Sequence, residues 1–166
     1  MPGWPRRSEA FVTEPVKPFL NQIVISGVTS SRSFCYCNQT IRGEFFGVTV
    51  LDKDKPSTDM RSSIEAAARV ASVYVNLFPC LRFANLMREW VGLVYQTPDY
   101  SPIIGKFDGI KGFYLDIGWG GSGFMTGPAV GEFLSELIAT DVTPPALEPF
   151  GLSRFYNDKA VAVASC

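Results

Sequence analysis

One stretch near the C-terminal end constrains the fold more than any other. Phe113-Tyr114-Leu115-Asp116-Ile117 is an apolar run of strand length, and Gly118, Gly120, Gly121 and Gly123 follow it at once. Beyond the glycines, Val130, Phe133, Leu134, Leu137 and Ile138 recur at helical spacing, with Pro128 expected near the first turn. Strand, glycine loop and helix form a physical device. Glycine lets a backbone turn sharply and approach a neighbour closely. The helix N-terminus offers unpaired N–H groups and a partial positive charge, which suit an anionic or electron-rich group. Residues 118 to 123 also satisfy the G-x-G-x-x-G spacing, and Asp141 lies near the acidic position of that fingerprint. The literal fingerprint fails on context. It should open a first βαβ unit, with a further strand carrying the acid, whereas Asp141-Val142-Thr143-Pro144-Pro145 offers no strand. Two readings stay open: glycines that only permit tight strand–helix packing, or a ligand site of another kind.

Composition narrows the chemistry. The chain has 166 residues, 46% of them hydrophobic and 19% charged, which fits one folded domain or two small ones. Fifteen basic residues against sixteen acidic ones give no electrostatic footprint for nucleic acid. The absence of histidine excludes Ser-His-Asp and Cys-His catalysis, imidazole bases and His-bearing zinc sites within the chain. Cys35, Cys37, Cys80 and Cys166 lack zinc spacing, so no metal is expected. Cys35 and Cys37 share one face of a strand and read as reduced core thiols. No apolar run approaches the length of a membrane span, and residues 1 to 20, with four prolines, lack a signal-peptide core. The expected compartment is the cytoplasm.

The remaining pattern predicts a mixed α+β fold rich in antiparallel sheet. Strands are expected over 8–13, 21–28, 34–39 and 44–51, with a turn at Arg42-Gly43, as a meander. Residues 52 to 58 read as a loop. A helix follows on Ile64, Ala67, Ala68, Ala71, Tyr74, Val75 and Phe78, capped by Ser57, Thr58 or Asp59 and stopped by Pro79. A strand over 88–96, a turn at Thr97-Pro98-Asp99-Tyr100 and a short strand at Ile103-Ile104 precede the glycine segment. After Asp141 the chain turns proline-rich and irregular. The expected organisation is a substrate-domain half over 1–105, the C-terminal piece of a cofactor domain over 106–141, and a tail over 142–166.

Several of these segments together resemble a known family. Arg88-Glu89-Trp90-Val91-Gly92-Leu93, then Thr97-Pro98-Asp99, then Pro102-Ile103-Ile104-Gly105 are similar to the R-x-W-x-G-L…T-P-D-x-x-P-I-I-G string of FAD-dependent amine oxidoreductases. These are the D-amino-acid oxidase-like enzymes, including glycine oxidase, sarcosine oxidase and the β subunits of proline dehydrogenase. The likeness continues through Gly112-Phe113-Tyr114, Gly118 to Met125 and Gly127 to Glu132, and upstream through Thr13-Glu14-Pro15-Val16-Lys17-Pro18.

The resemblance implies an antiparallel substrate-domain sheet with one long helix, followed by a strand–glycine loop–helix that completes a FAD-binding domain. It implies flavin contacts at Gly120, Gly121, Ser122, Gly123, Phe124 and Met125, largely through backbone. It also implies hydride transfer from a small amino acid or secondary amine, with proline, hydroxyproline, sarcosine and glycine all open. Only the C-terminal half of the family pattern is present, so a partner subunit carrying the dinucleotide-binding half, sharing FAD in a hetero-oligomer, is expected. Where some relatives place an Arg for the substrate carboxylate, this chain has Val94-Tyr95, and where some have a Lys it has Met125. Tyr36, Arg42 and Tyr95 are the replacement candidates for substrate contact. The alternative is a non-catalytic structural or regulatory subunit derived from the family.

Overall fold

The computed structural model describes residues 1–26, 34–51 and 55–156. Its strands are β1 (Trp4–Pro15), β2 (Val24–Ser26), β3 (Phe34–Gln39), β4 (Glu44–Val50), β5 (Leu86–Gln96), β6 (Ile103–Lys106) and β7 (Tyr114–Ile117). The helices are α1 (Ile64–Leu77) and α2 (Gly123–Thr140), with 3-10 turns at Pro79–Phe83, Glu148–Phe150 and Leu152–Phe155. The mixed α+β class follows the sequence expectation. Val28 of the expected second strand and Cys166 lie outside the described residues. The chain divides into two compact units, Arg6–Leu93 and Met1–Pro5 with Val94–Cys166, here the sheet unit and the hairpin unit.

In the sheet unit the strand order is β2-β3-β4-β1-β5. The meander pairs Val24 with Cys37, Cys35 with Thr49 and Phe11 with Gly47, all antiparallel. Alternation along the strands sends Cys35, Cys37, Phe45 and Phe11 to one face, where Ala66, Val70 and Tyr74 of α1 cover them. Burial pushes the Cys35 thiol up to about 12 and the Cys37 thiol up to about 11, so both stay protonated and pack as small apolar groups. Gly47 leaves room for α1. A Cβ there would lie 2.1 Å from both the Tyr36 carbonyl and the Tyr74 hydroxyl.

The helix departs from expectation in two ways. Its cap is Ser63, whose Oγ accepts the Ala66 N–H at 3.2 Å, while Asp59 instead pairs with Arg61 at 2.8 Å. The reason is long-range. Buried Glu9 on β1 accepts the Ser63 N–H and hydroxyl, both at 2.8 Å, and fixes where the helix begins. The buried stripe is Ala66, Val70 and Tyr74, and Ile64 is 90% exposed. Alanines at 66, 67, 68 and 71 made the rotation of the stripe ambiguous by pattern alone. Arg7 pairs with Glu9 at 2.9 Å, and Glu89 on β5 joins this cluster. Burial, then the hydrogen bond and repulsion from Glu9, hold the Glu89 carboxyl above the usual range. On the same unit, Gln39 ties down the Thr-Glu-Pro segment. Its Oε1 accepts from Phe19 and Leu20 N–H at 2.8 and 3.0 Å, and its Nε2 donates toward the Val16, Lys17 and Gly43 carbonyls.

In the hairpin unit β6 and β7 pair antiparallel, Ile103 with Ile117 through Lys106 with Tyr114. Ile103 and Ile104 point to opposite faces, and each founds a small core. Ile103 packs with Leu115 and Leu152, and Ile104 with Leu137 and Leu147. The proline-rich segment after Asp141 therefore fills both faces of the hairpin. Helix α2 begins at Gly123, so Pro128 sits in its second turn and not its first. Asp141 is the left-handed C-cap (φ 59°) and pairs with Lys106 at 2.6 Å. Arg154 holds the Thr97-Pro98-Asp99 turn. Its Nε donates to Asp99 Oδ2 at 2.7 Å and its Nη2 to Oδ1 at 3.2 Å, with further bonds to the Phe150, Gly151 and Ser101 carbonyls. Both side chains of the pair are 4% exposed. Burial alone would raise the Asp99 carboxyl, but the Arg154 and Ser101 hydrogen bonds outweigh it and hold it below the usual range.

Removing one partner of a buried ion pair leaves the other uncompensated, so Arg154→Ala is expected to cost about 3–5 kcal/mol. Urea denaturation measures the loss, and limited proteolysis should then cut within 142–156. A second expectation concerns pH. The raised folded-state pKa of Glu89 gives stability that is present at low pH and lost as pH rises through that pKa. Glu89→Gln should be more stable than the parent above that pH, with a flatter pH dependence of the denaturation midpoint. Parallel pH profiles for the two proteins would contradict this.

Candidate functional site

The glycine loop belongs wholly to the hairpin unit. Leaving β7, the chain passes through Gly118 (φ 82°), Gly120 (φ 59°) and Gly121 (φ 136°), conformations that L side chains rarely adopt. Space forbids side chains as well. A Cβ on Gly118 would lie 2.6 Å from Thr97 Cγ2, and one on Gly120 would lie 2.8 Å from Gln96 Oε1. The loop thus rests directly on Tyr95-Gln96-Thr97. The Gly120 N–H donates to the Tyr95 carbonyl at 3.3 Å, and Gln96 forms an antiparallel bridge with Trp119. Trp119 donates its Nε1–H to Asp116 at 2.9 Å, and its ring lies 3.1 Å from where a Gly123 Cβ would stand.

A count of loop N–H groups shows what the site can do. Gly120 donates to Tyr95, Ser122 to the Trp119 carbonyl at 3.0 Å, and Met125 and Thr126 to the Ser122 carbonyl at 3.1 and 3.2 Å. The N–H groups of Gly121, Gly123 and Phe124 have no acceptor among the described residues. They open the positive end of an 18-residue helix whose first turn holds no acidic residue. The Phe124 side chain is fully exposed and Met125 is 78% exposed. Three N–H donors at the head of a helix, two of them on glycines, can hold an anionic or electron-rich group.

The other sequence-derived candidates fall in different places. Tyr95 lies beside the loop, but its carbonyl makes the contact. Its phenol donates to the Met1 carbonyl at 3.1 Å and its ring packs at Gly3. Tyr36 and Arg42 belong to the sheet unit. Tyr36 is half-buried on β3, on the face opposite Cys35 and Cys37, and burial raises its phenol. Arg42 is exposed in the β3–β4 turn. The face of Tyr36 also carries Phe46 and Trp90, stacked with centroids 5.9 Å apart and planes at 22°. That pair was missed by sequence reasoning although Trp90 sits in the quoted string. Gln96, 1% exposed beneath Gly120, was missed as well. No local signal marks it, because its role depends on a contact 24 residues away along the chain.

Comparison with known proteins identifies the family. The profile of the DAO family, described as FAD dependent oxidoreductase, matches residues 1–137. Sarcosine oxidase subunit beta from Rhodobacter capsulatus is 30% identical over 158 residues, covering 93% of this chain and 36% of that protein. Hydrogen cyanide synthase subunit HcnC from Pseudomonas aeruginosa is 32% identical over 161 residues, covering 92% of this chain and 38% of its own length. Among solved structures, L-proline dehydrogenase from P. horikoshii superposes with a TM-score of 0.84 at 29% identity, covering 96% of this chain and 42% of that one. The chain therefore spans about two-fifths or less of the relatives it matches. On the match across residues 1–137, it belongs to the DAO family of FAD-dependent oxidoreductases.

Proposed function

We propose that this chain supplies the flavin-facing loop and part of the substrate cavity of a FAD-dependent amine or amino-acid oxidoreductase. The observation that carries the reading is the set of unpaired N–H groups at Gly121, Gly123 and Phe124, at the start of α2 in a chain of this family. FAD, when bound, supplies the capacity to accept a hydride from a CH–NH group of a small amino acid or secondary amine. Proline, hydroxyproline, sarcosine and glycine are the candidate substrates. The residues of this chain do the rest. The three N–H groups and the α2 dipole bind and stabilise negative charge at the cofactor edge. Gly120, Ser122 and Met125 shape the loop through their internal hydrogen bonds. Tyr36 and Arg42 are the proposed substrate contacts, and Tyr95 acts through its carbonyl on the loop. The absence of histidine is compatible with this role, because an amine that binds neutral requires no protein base.

The dinucleotide-binding half of the family pattern comes from a partner subunit in a cytoplasmic hetero-oligomer that shares the FAD. Relatives named as subunits, of which this chain covers 36% and 38%, support an assembly of more than one chain. The test is Gly121→Val, which puts a β-branched side chain at φ 136°. In the assembly purified through a tag on this chain, the variant should retain its partner but lose FAD, and turnover of the candidate amines should fall about 100-fold or more. Unchanged FAD content and turnover would overturn the loop assignment. Stoichiometric FAD on the single purified chain would overturn the shared-cofactor reading.

A further inference from the structure

The support of the glycine loop is a short segment with unusual burial for polar residues. Gln96 is 1% exposed and Thr97 fully buried, at the point where β5 ends. The Gln96 backbone bridges Trp119, so the side chain is held directly under the loop. Its amide Nε2 donates to the Thr97 carbonyl at 3.3 Å, and its Oε1 lies where a Cβ on Gly120 would come within 2.8 Å. On either side, the Tyr95 carbonyl takes the Gly120 N–H and Thr97 Cγ2 fills the space under Gly118. The segment therefore decides which loop N–H groups turn inward. Gly120 is tied to the Tyr95 carbonyl, and its neighbours Gly121, Gly123 and Phe124 have no acceptor among the described residues.

We propose that Gln96 is the positioning residue of this loop: its buried amide, wedged beneath Gly120, sets the presentation of the Gly121, Gly123 and Phe124 N–H groups. Its meaning for the reaction rests on the flavin reading above, because the groups it positions are those that would meet the cofactor. Buried beneath Gly120, Gln96 acts through the loop. A side chain one methylene shorter could not reach the same place, and a small apolar one would leave a void that the glycines, free to rotate, would collapse into.

The test uses Gln96→Ala, the milder Gln96→Asn, Gly120→Ala and the double variant Gln96→Ala/Gly120→Ala in the full chain. The first readout is amide hydrogen exchange without flavin. Gln96→Ala should speed exchange at Gly120 and Ser122 at least tenfold, with Gln96→Asn intermediate and the α1 amides unchanged as a control for folding. The second readout is coupling. If the Gln96 amide is what a Gly120 Cβ strikes, the Gly120→Ala defect in loop exchange should be smaller in the Gln96→Ala background. The third is the midpoint potential of FAD in the tagged assembly, which should move more negative in Gln96→Ala because donors to the reduced flavin are misaligned. Unchanged loop exchange or strict additivity would each overturn the proposal, and an unchanged potential beside altered loop exchange would overturn the flavin reading. A wild-type assembly without FAD would overturn the flavin reading alone, and exchange and coupling would still decide the role of Gln96.

Discussion

Two backbones approach each other where β5 ends and β7 gives way to the glycine loop, and the candidate site depends on that approach. It is possible only because Gly118 and Gly120 have no Cβ: one would strike Thr97 and the other Gln96. The approach consumes one loop N–H, while Gly121, Gly123 and Phe124 keep theirs without an acceptor among the described residues. A single methyl group at Gly118 or Gly120 would collide with Thr97 or Gln96 and force the loop or its support to shift. In this molecule the local cost of glycine is offset by what the contact positions.

Buried charge organises both units in the same way, by fixing a turn or helix start from a distance. In the hairpin unit Arg154 grips Asp99 and three backbone carbonyls, so the turn beside the loop support is held by the far end of the described chain. In the sheet unit Glu9 reaches the first turn of α1 through Ser63. Each acid is buried and satisfied by several donors, the condition under which buried charge is tolerable. Arg154 also changes the meaning of Asp99. Within the motif string the residue looks like part of a turn, whereas in the fold it is one half of a buried pair.

Much of the fold was legible because its signals are local. Strand-forming residues either side of the Arg42-Gly43 turn marked β3 and β4, Cys35 and Cys37 fell on one buried face, and the apolar run 113–117 and the glycines marked β7 and the loop. The errors have different causes, one of them long-range and two local. Ser63 rather than Asp59 caps α1 because Glu9 reaches it. The α1 stripe was misplaced because alanines on several sides gave no clear direction. Pro128 fell in the second turn because Gly123 lets the helix start early. At the site, the glycines were readable from their spacing, but the division of N–H groups into inward and outward sets was not. That division arises from Tyr95, Gln96 and Trp119, whose carbonyls and amide give no sequence signal.

The central claim is that three backbone N–H groups of this chain face the flavin. The most direct measurement is the backbone amide spectrum of the ¹⁵N-labelled chain within its assembly, with FAD present and after FAD is removed. The account predicts that the Gly121, Gly123 and Phe124 amides shift and become protected from exchange when FAD is bound. The Gly120 and Ser122 amides, already paired within the protein, should keep their protection in both states. FAD-linked changes that bypass those three amides and fall elsewhere in the chain would contradict it.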